Sequence, residues 1–183
     1  MKTVQRCEWV EGKPHYYVAY HDYEWCQPTH DEQELYQWLL LESFHVGLSW
    51  QLVLSKYENF QAAFSHFDYR QIAQYQEQDV LRLMQDRGII RHEGKIRAAI
   101  TNAQSFLKVQ EEFGTFDAYI WSFTDGKVIQ GEGAGIPSRT LLSDQVSKDM
   151  KKRGFKFIGS VTIYSYLQAI GVVNDHDRNC AFK

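Results

Sequence analysis

The sequence predicts an all-α fold. Three observations carry that reading. Apolar residues recur at helical spacing over long segments. Asp31, Ser49 and Asp68 stand at helix starts, and Gly88, Gly114, Gly154 and Gly171 at helix ends. Only three prolines, Pro14, Pro28 and Pro137, interrupt 183 residues. No repeat or linker is evident, so residues 1–183 are expected to form one domain.

Each element follows from local chemistry. A helix is predicted from Asp31, an N-cap with Glu34 completing a capping box, through Leu35, Trp38, Leu39 and Glu42. Gly47, Leu48 and Ser49 break it, and Ser49 caps a second helix over 50–64. Asp68 opens a short helix, and 79–88 carries another that stops at Gly88. Residues 93–114 read as a long helix. Segment 116–124 fits either strand or helix, and the glycine-rich 126–140 is the evident loop. Two helices, 143–153 and 160–170, close the chain.

Composition excludes several classes. Hydrophobic residues make up 44% and charged residues 23%, which rules out a disordered or low-complexity chain. No apolar run reaches membrane-spanning length, and the charged opening segment does not resemble a secretory signal. A cytoplasmic, membrane-free protein is therefore expected. Three cysteines cannot close a disulfide framework, so free or metal-bound thiols are expected.

Charge is uneven. Residues 1–81 hold 5 Lys+Arg and 12 Asp+Glu (5 − 12 = −7), and residues 82–183 hold 15 and 11 (15 − 11 = +4), summing to the net −3. Around residue 152, Lys148, Lys151, Lys152, Arg153 and Lys156 face only Asp149. This end suits a polyanion.

Four features carry chemistry. The first is the pair of C-terminal helices joined across Gly154 to Gly159, similar to a helix-hairpin-helix element. In such an element a glycine lets the backbone approach a phosphate, and amides at the next helix start point at it. The same residues also suit two packed helices with solvated lysines. The second is a Cys₂His₂ set split between the termini: Cys7 and His21, with His176 and Cys180 four residues apart on one predicted helical face. Seven His and three Cys also scatter into such pairs by chance. The third is Glu42, which shares the apolar face of Leu35, Trp38 and Leu39. It either lines a pocket or, if the register drifts, ends the helix in water. The fourth is the density of aromatic residues before position 51, among them Trp9, Tyr17, Tyr20 and Trp50. These suit a core, or a box for a flat electron-poor ring.

The segments CEW, YVAYHDYEW, LLLESFHVGLSWQLVLSKYENFQAAF, DRGIIRHEGKIRAAITNA and KKRGFKFIGSVTIYSYLQAIGVVNDH, with the final Cys180, resemble the 3-methyladenine DNA glycosylase I family over nearly the whole chain. The resemblance implies an all-α helix-hairpin-helix glycosylase of two lobes with a base pocket between them and a structural zinc site. It also implies excision of N3-methyladenine from double-stranded alkylated DNA by a monomer. Cys7, His21, His176 and Cys180 match the zinc ligands. Glu42 matches the pocket glutamate, and Trp9, Tyr17, Tyr20 and Trp50 match its aromatic positions. Gly47 and Leu48 match the turn that fills the gap left by an extruded nucleotide. Lys152, Gly154, Lys156 and Gly159 fall on the DNA-anchoring hairpin. His45 and Cys26 depart from the family pattern, where a polar amide and a glycine are expected. Asp175 is read as support for His176 rather than as a catalytic group. With no lysine positioned for Schiff-base chemistry, a monofunctional enzyme is expected. A non-catalytic damage-binding module is the alternative.

Overall fold

The computed structural model describes residues 4–183; residues 1–3 of the charged opening segment lie outside them. Ten α-helices dominate the described residues: α1 (His15–Tyr23), α2 (Glu32–His45), α3 (Trp50–Ser55), α4 (Tyr57–Ala63), α5 (Tyr69–Ile72), α6 (Glu77–Gln85), α7 (Glu93–Phe113), α8 (Phe116–Ser122), α9 (Leu141–Lys152) and α10 (Ser160–Ala169). One parallel pair, β1 (Ile129–Gln130) and β2 (Val173–Asn174), joins the loop before α9 to the chain after α10.

The caps read from sequence are mostly in place. Asp31 accepts from the Glu34 amide at 2.9 Å, Ser49 from Leu52 at 3.2 Å, and Asp68 from Arg70 at 2.9 Å. Gly114 ends α7 with φ +86°. Several boundaries differ. The capping box at Asp31 is open, because the Glu34 carboxylate accepts the Thr29 hydroxyl at 2.6 Å instead. The predicted helix over 50–64 divides at Lys56 into α3 and α4. The ambiguous 116–124 is helical because Thr115 caps it, accepting from Ala118 at 2.9 Å. α9 starts two residues early, since Thr140 and Ser143 form a reciprocal capping box. The largest miss is α1. Its N-cap position is Pro14, which accepts no side-chain bond, and its apolar residues make no stripe.

α2 is the centre of the molecule, packed by α3, α7, α8 and α10. Leu35, Tyr36 and every residue from Trp38 to Phe44 are buried. The Tyr36 and Tyr166 hydroxyls donate to the carbonyls of Ala99 and Leu35, both at 2.8 Å, tying α7 and α10 to it. Glu42 is buried with Leu35, Trp38 and Leu39 on the face it shares with them, and from Trp38 to Phe44 the helix is enclosed on its other sides as well. Each large side chain so enclosed stabilises by roughly 1.5–3 kcal/mol.

After α10 the chain hooks over residues 26–29. The Cys26 amide donates to Gln168 O at 2.9 Å and the Thr29 amide to Ile170 O at 3.1 Å. Gly171 makes the hook possible. Its φ is +76°, and an added Cβ would sit 2.2 Å from Pro28 N and 2.3 Å from Gln27 C. Gly171→Ala is expected to destabilise the protein by about 3 kcal/mol or more through backbone collision and strain. Chemical denaturation of the purified variant checks this.

Candidate functional site: an aromatic cleft beside a Cys/His cluster

The two chain ends meet in a cluster. Cys7, His21, His176 and Cys180 are all buried, and one donor atom from each lies within 4.8 Å of all the others. His176 Nδ1 stands 3.5 Å from Cys7 Sγ and 3.4 Å from Cys180 Sγ, and His21 Nε2 stands 3.6 Å from Cys180 Sγ. Ligands at about 2.3 Å (S) and 2.0 Å (N) from a tetrahedral ion set S···N edges of about 3.5 Å. The donor set and its spacing fit such an ion.

The outer atoms fit it too. The His21 Nδ1 proton is directed to Asp22 Oδ1 at 2.8 Å, and Asp22 also accepts from Arg6 at 2.7 Å. His176 Nε2 faces the Trp25 carbonyl at 3.3 Å. Each imidazole thus has an acceptor on its far nitrogen, leaving a lone pair for the cluster. Burial pushes the Cys7 thiol up to about 12 and holds His176 neutral, down to about 4. A cation at the centre reverses the cost of the thiolates.

Two expectations are corrected here. His176 and Cys180 do not share a helix. They lie on an irregular turn closed by Cys180 N donating to Asp177 O at 3.0 Å, with the Asp177 amide also donating to Cys7 Sγ at 3.2 Å. The preceding β2 ends the helical chain, and the turn supplies the four-residue spacing instead. Asp175 does not support His176. Its carboxylate accepts from the Tyr164 hydroxyl and from Gln168 Nε2 at 2.7 Å.

A cleft of about 270 Å³ adjoins the cluster, lined by Trp9, Tyr17, Tyr20, Trp25, Glu42, His45 and Trp50 together with Ile136, Ser165 and Gln168. All five base-pocket residues proposed from sequence line it. Trp9 meets Tyr17 edge-on at 5.6 Å, and Tyr20 meets Trp50 at 5.4 Å. Trp9 and Trp25 also touch His21, at 5.2 and 5.9 Å, so the cluster backs the cleft wall. Trp9 Nε1 and Trp50 Nε1 are buried without a hydrogen-bond partner, two donors held ready beside the cleft.

Glu42 is the charged group of this cleft. It is 2% exposed, and His45 Nδ1 stands 2.9 Å from its Oε2. Burial raises its pKa, and the His45 contact opposes that rise. Burial, then the Glu42 charge, also lift the Tyr17 and Tyr20 phenols. An acid among aromatic faces favours a flat cation.

Gly47, with φ +76°, and Leu48 form an exposed turn directly after α2, closed by Leu48 N donating to His45 O at 2.8 Å. On the other turn Gly154 has φ +93°, Phe155 and Ile158 are buried, and Lys152 and Lys156 are exposed. Gly159 is the N-cap position of α10. Arg153 is not part of the open basic face: it pairs with Glu112 at 2.6 Å and Asp149 at 2.7 Å.

The model of the methyladenine glycosylase family matches residues 9–183. The chain belongs to that family. It is 46% identical over 180 residues to the DNA-3-methyladenine glycosylase 1 of Escherichia coli strain K12, covering 97% of this chain and 96% of that one. A crystal structure of a 3-methyladenine DNA glycosylase I superposes with a TM-score of 0.91 at 48% identity, covering 97% and 98%. The Staphylococcus aureus 3-methyladenine DNA glycosylase I, solved to describe 3-methyladenine recognition, gives 0.92 at 36% identity, covering 97% and 96%.

Sequence reasoning missed Ser165 and Gln168, although their three-residue spacing places them on one face of α10. Trp25 is both buried and a cleft wall.

Because the folded pKa of Glu42 is raised, this group favours the fold below the ordinary carboxylate range and loses that contribution as pH rises through its folded value. Glu42→Gln is therefore expected to melt at or above wild type at pH 8, with the gap closing toward pH 4. Thermal unfolding at both pH values reads this directly.

Proposed function

We propose that the protein is a monofunctional DNA glycosylase that excises N3-methyladenine from alkylated double-stranded DNA, acting as a monomer in the cytoplasm. The observation that carries this is a buried carboxylate among aromatic faces, in a chain of the methyladenine glycosylase family. We read the fold as one helix-hairpin-helix domain, residues 1–183, with the base pocket between two lobes and the hairpin at about 153–160.

Methylation at N3 leaves adenine with a positive charge, weakens its pairing, and makes it a better leaving group. The base must first leave the stack. Gly47 and Leu48 fill the gap, while Gly154, Gly159, Lys152 and Lys156 hold the phosphate backbone. Trp9, Tyr17, Tyr20 and Trp50 enclose the ring, and Glu42 accepts hydrogen bonds from it. Water adds to the sugar C1′ and loses a proton to solvent. The electron pair of the broken C1′–N9 bond neutralises the departing ring, so no acid need protonate it. Glu42 acts by binding the cation and holding it in place.

Cys7, His21, His176 and Cys180 are assigned as the ligands of a structural zinc ion. When bound there, zinc supplies a cross-link between the chain ends and no chemistry on the substrate.

Purified protein incubated with methylated DNA is expected to release 3-methyladenine, identified by chromatography, and to leave 7-methylguanine in place. Glu42→Gln is expected to lower kcat/KM by about 10–100-fold, the worth of a hydrogen bond to a charged group. No release by folded wild-type protein overturns the reading in favour of a binding module. For the metal, elemental analysis is expected to find one zinc per chain. A strong chelator is expected to remove it and lower Tm by roughly 5–10 °C.

A further inference from the structure

The two turns assigned above to DNA lie far apart in sequence, yet one helix holds both. Lys95, in the first turn of α7, is buried, and its Nζ donates to the carbonyls of Phe44 at 2.9 Å and Val46 at 2.5 Å. These are carbonyls at the end of α2, immediately before Gly47 and Leu48. An ammonium there satisfies carbonyls that have no partner within the helix and favours the negative end of its dipole.

Asn102 lies seven residues further along α7, two turns on and on the same face, about 10.5 Å away along the axis. It too is buried. Its Nδ2 donates to Lys156 O at 3.0 Å, and its Oδ1 accepts from the Lys156 amide at 2.7 Å. Both backbone groups of that residue are therefore taken by one side chain. At the start of α7, three residues before Lys95, His92 caps the helix by accepting the Lys95 amide at 3.1 Å, and its ring meets Phe157 edge-on at 5.9 Å.

We propose that α7 sets the register between the two DNA-contacting turns, with Lys95 and Asn102 as positioning residues for base extrusion. This rests on the glycosylase reading for the role of the turns. A duplex anchored at 153–160 presents its damaged nucleotide to the cleft only if the Gly47–Leu48 turn stands at a set distance from the anchor. A helix with both clamps on one face is stiff enough to hold that distance. Neither residue lines the cleft, so neither touches the base.

The test is a double-mutant cycle with Lys95→Met, Asn102→Ala and their combination, with Lys95→Arg as the conservative variant. Three quantities are read: Tm, affinity for a duplex carrying a tetrahydrofuran abasic analogue, and affinity for free 3-methyladenine by tryptophan fluorescence. Sites this far apart, with no shared partner, normally add. Their effects on Tm are expected to add. Each single change is expected to weaken duplex binding by about tenfold, with the double little worse than either, because either one already loses the register. Base affinity is expected to stay within about twofold of wild type, and Lys95→Arg to recover duplex binding. Additive losses on the duplex, unchanged duplex binding, or a parallel loss of base affinity overturns the proposal. The glycosylase reading fails separately, if wild type binds the duplex but releases no methylated base.

Discussion

The constraint on which the rest depends is the joining of the two chain ends at Cys7, His21, His176 and Cys180. Residues 169 positions apart stand within bonding distance of one another. Trp9 follows Cys7 by two residues and is carried into the cleft by it, where it packs against Tyr17, His21 and Trp25. The outer supports, Asp22 with Arg6 and the Trp25 carbonyl, come from α1 and the residues around it. Without the join, the segment bearing Trp9 has a short 3-10 turn and few anchors of its own. The cluster supplies no group to the bond that breaks in the proposed reaction, but it backs one wall of the cleft.

A second constraint pulls against stability. From Trp38 to Phe44 α2 is enclosed on all sides, and the one acid in that run is Glu42. A carboxylate with a single protein partner in such a place costs free energy, and His45 offsets only part of it. A well-packed apolar residue would make a more stable helix. The chain instead holds an acid and two unpartnered indole donors beside an open cleft. That pattern is characteristic of sites shaped for a ligand rather than for folding.

Much of this was legible in the sequence. Asp31, Ser49 and Asp68 announced helix starts because their side chains bond amides within three residues, a purely local effect. The Cys/His set and the aromatic box could be listed from residue types, but only the resemblance tied them to particular roles. α1 was missed for a physical reason. Its buried residues are Tyr20, His21 and Asp22, chosen for the cleft and the cluster, so the apolar periodicity that marks a helix is absent. The turn at 177–180 was misread as helical because a four-residue spacing is shared by helices and tight turns, and nothing local separates them. Arg153 looked like part of a basic face because its partner Glu112 lies 41 residues away.

The uneven charge along the chain acquires a meaning once the fold is known. The acidic half supplies α1 and α2 and with them Glu42 and most of the cleft lining; on the proposed reading that carboxylate favours a cationic ring over neutral adenine. The basic half supplies α9, α10, the exposed Lys152 that ends α9 and the exposed Lys156 in the turn after it. Were the whole surface basic, binding would be tight on any stretch of DNA and the cleft potential would repel the lesion. On the proposed reading, the exposed Lys152 and Lys156 attract phosphate at the anchor and discrimination is left to the cleft. The two demands, holding a polyanion and choosing a cation, are opposite in sign. They are compatible in one small protein because separate segments meet them.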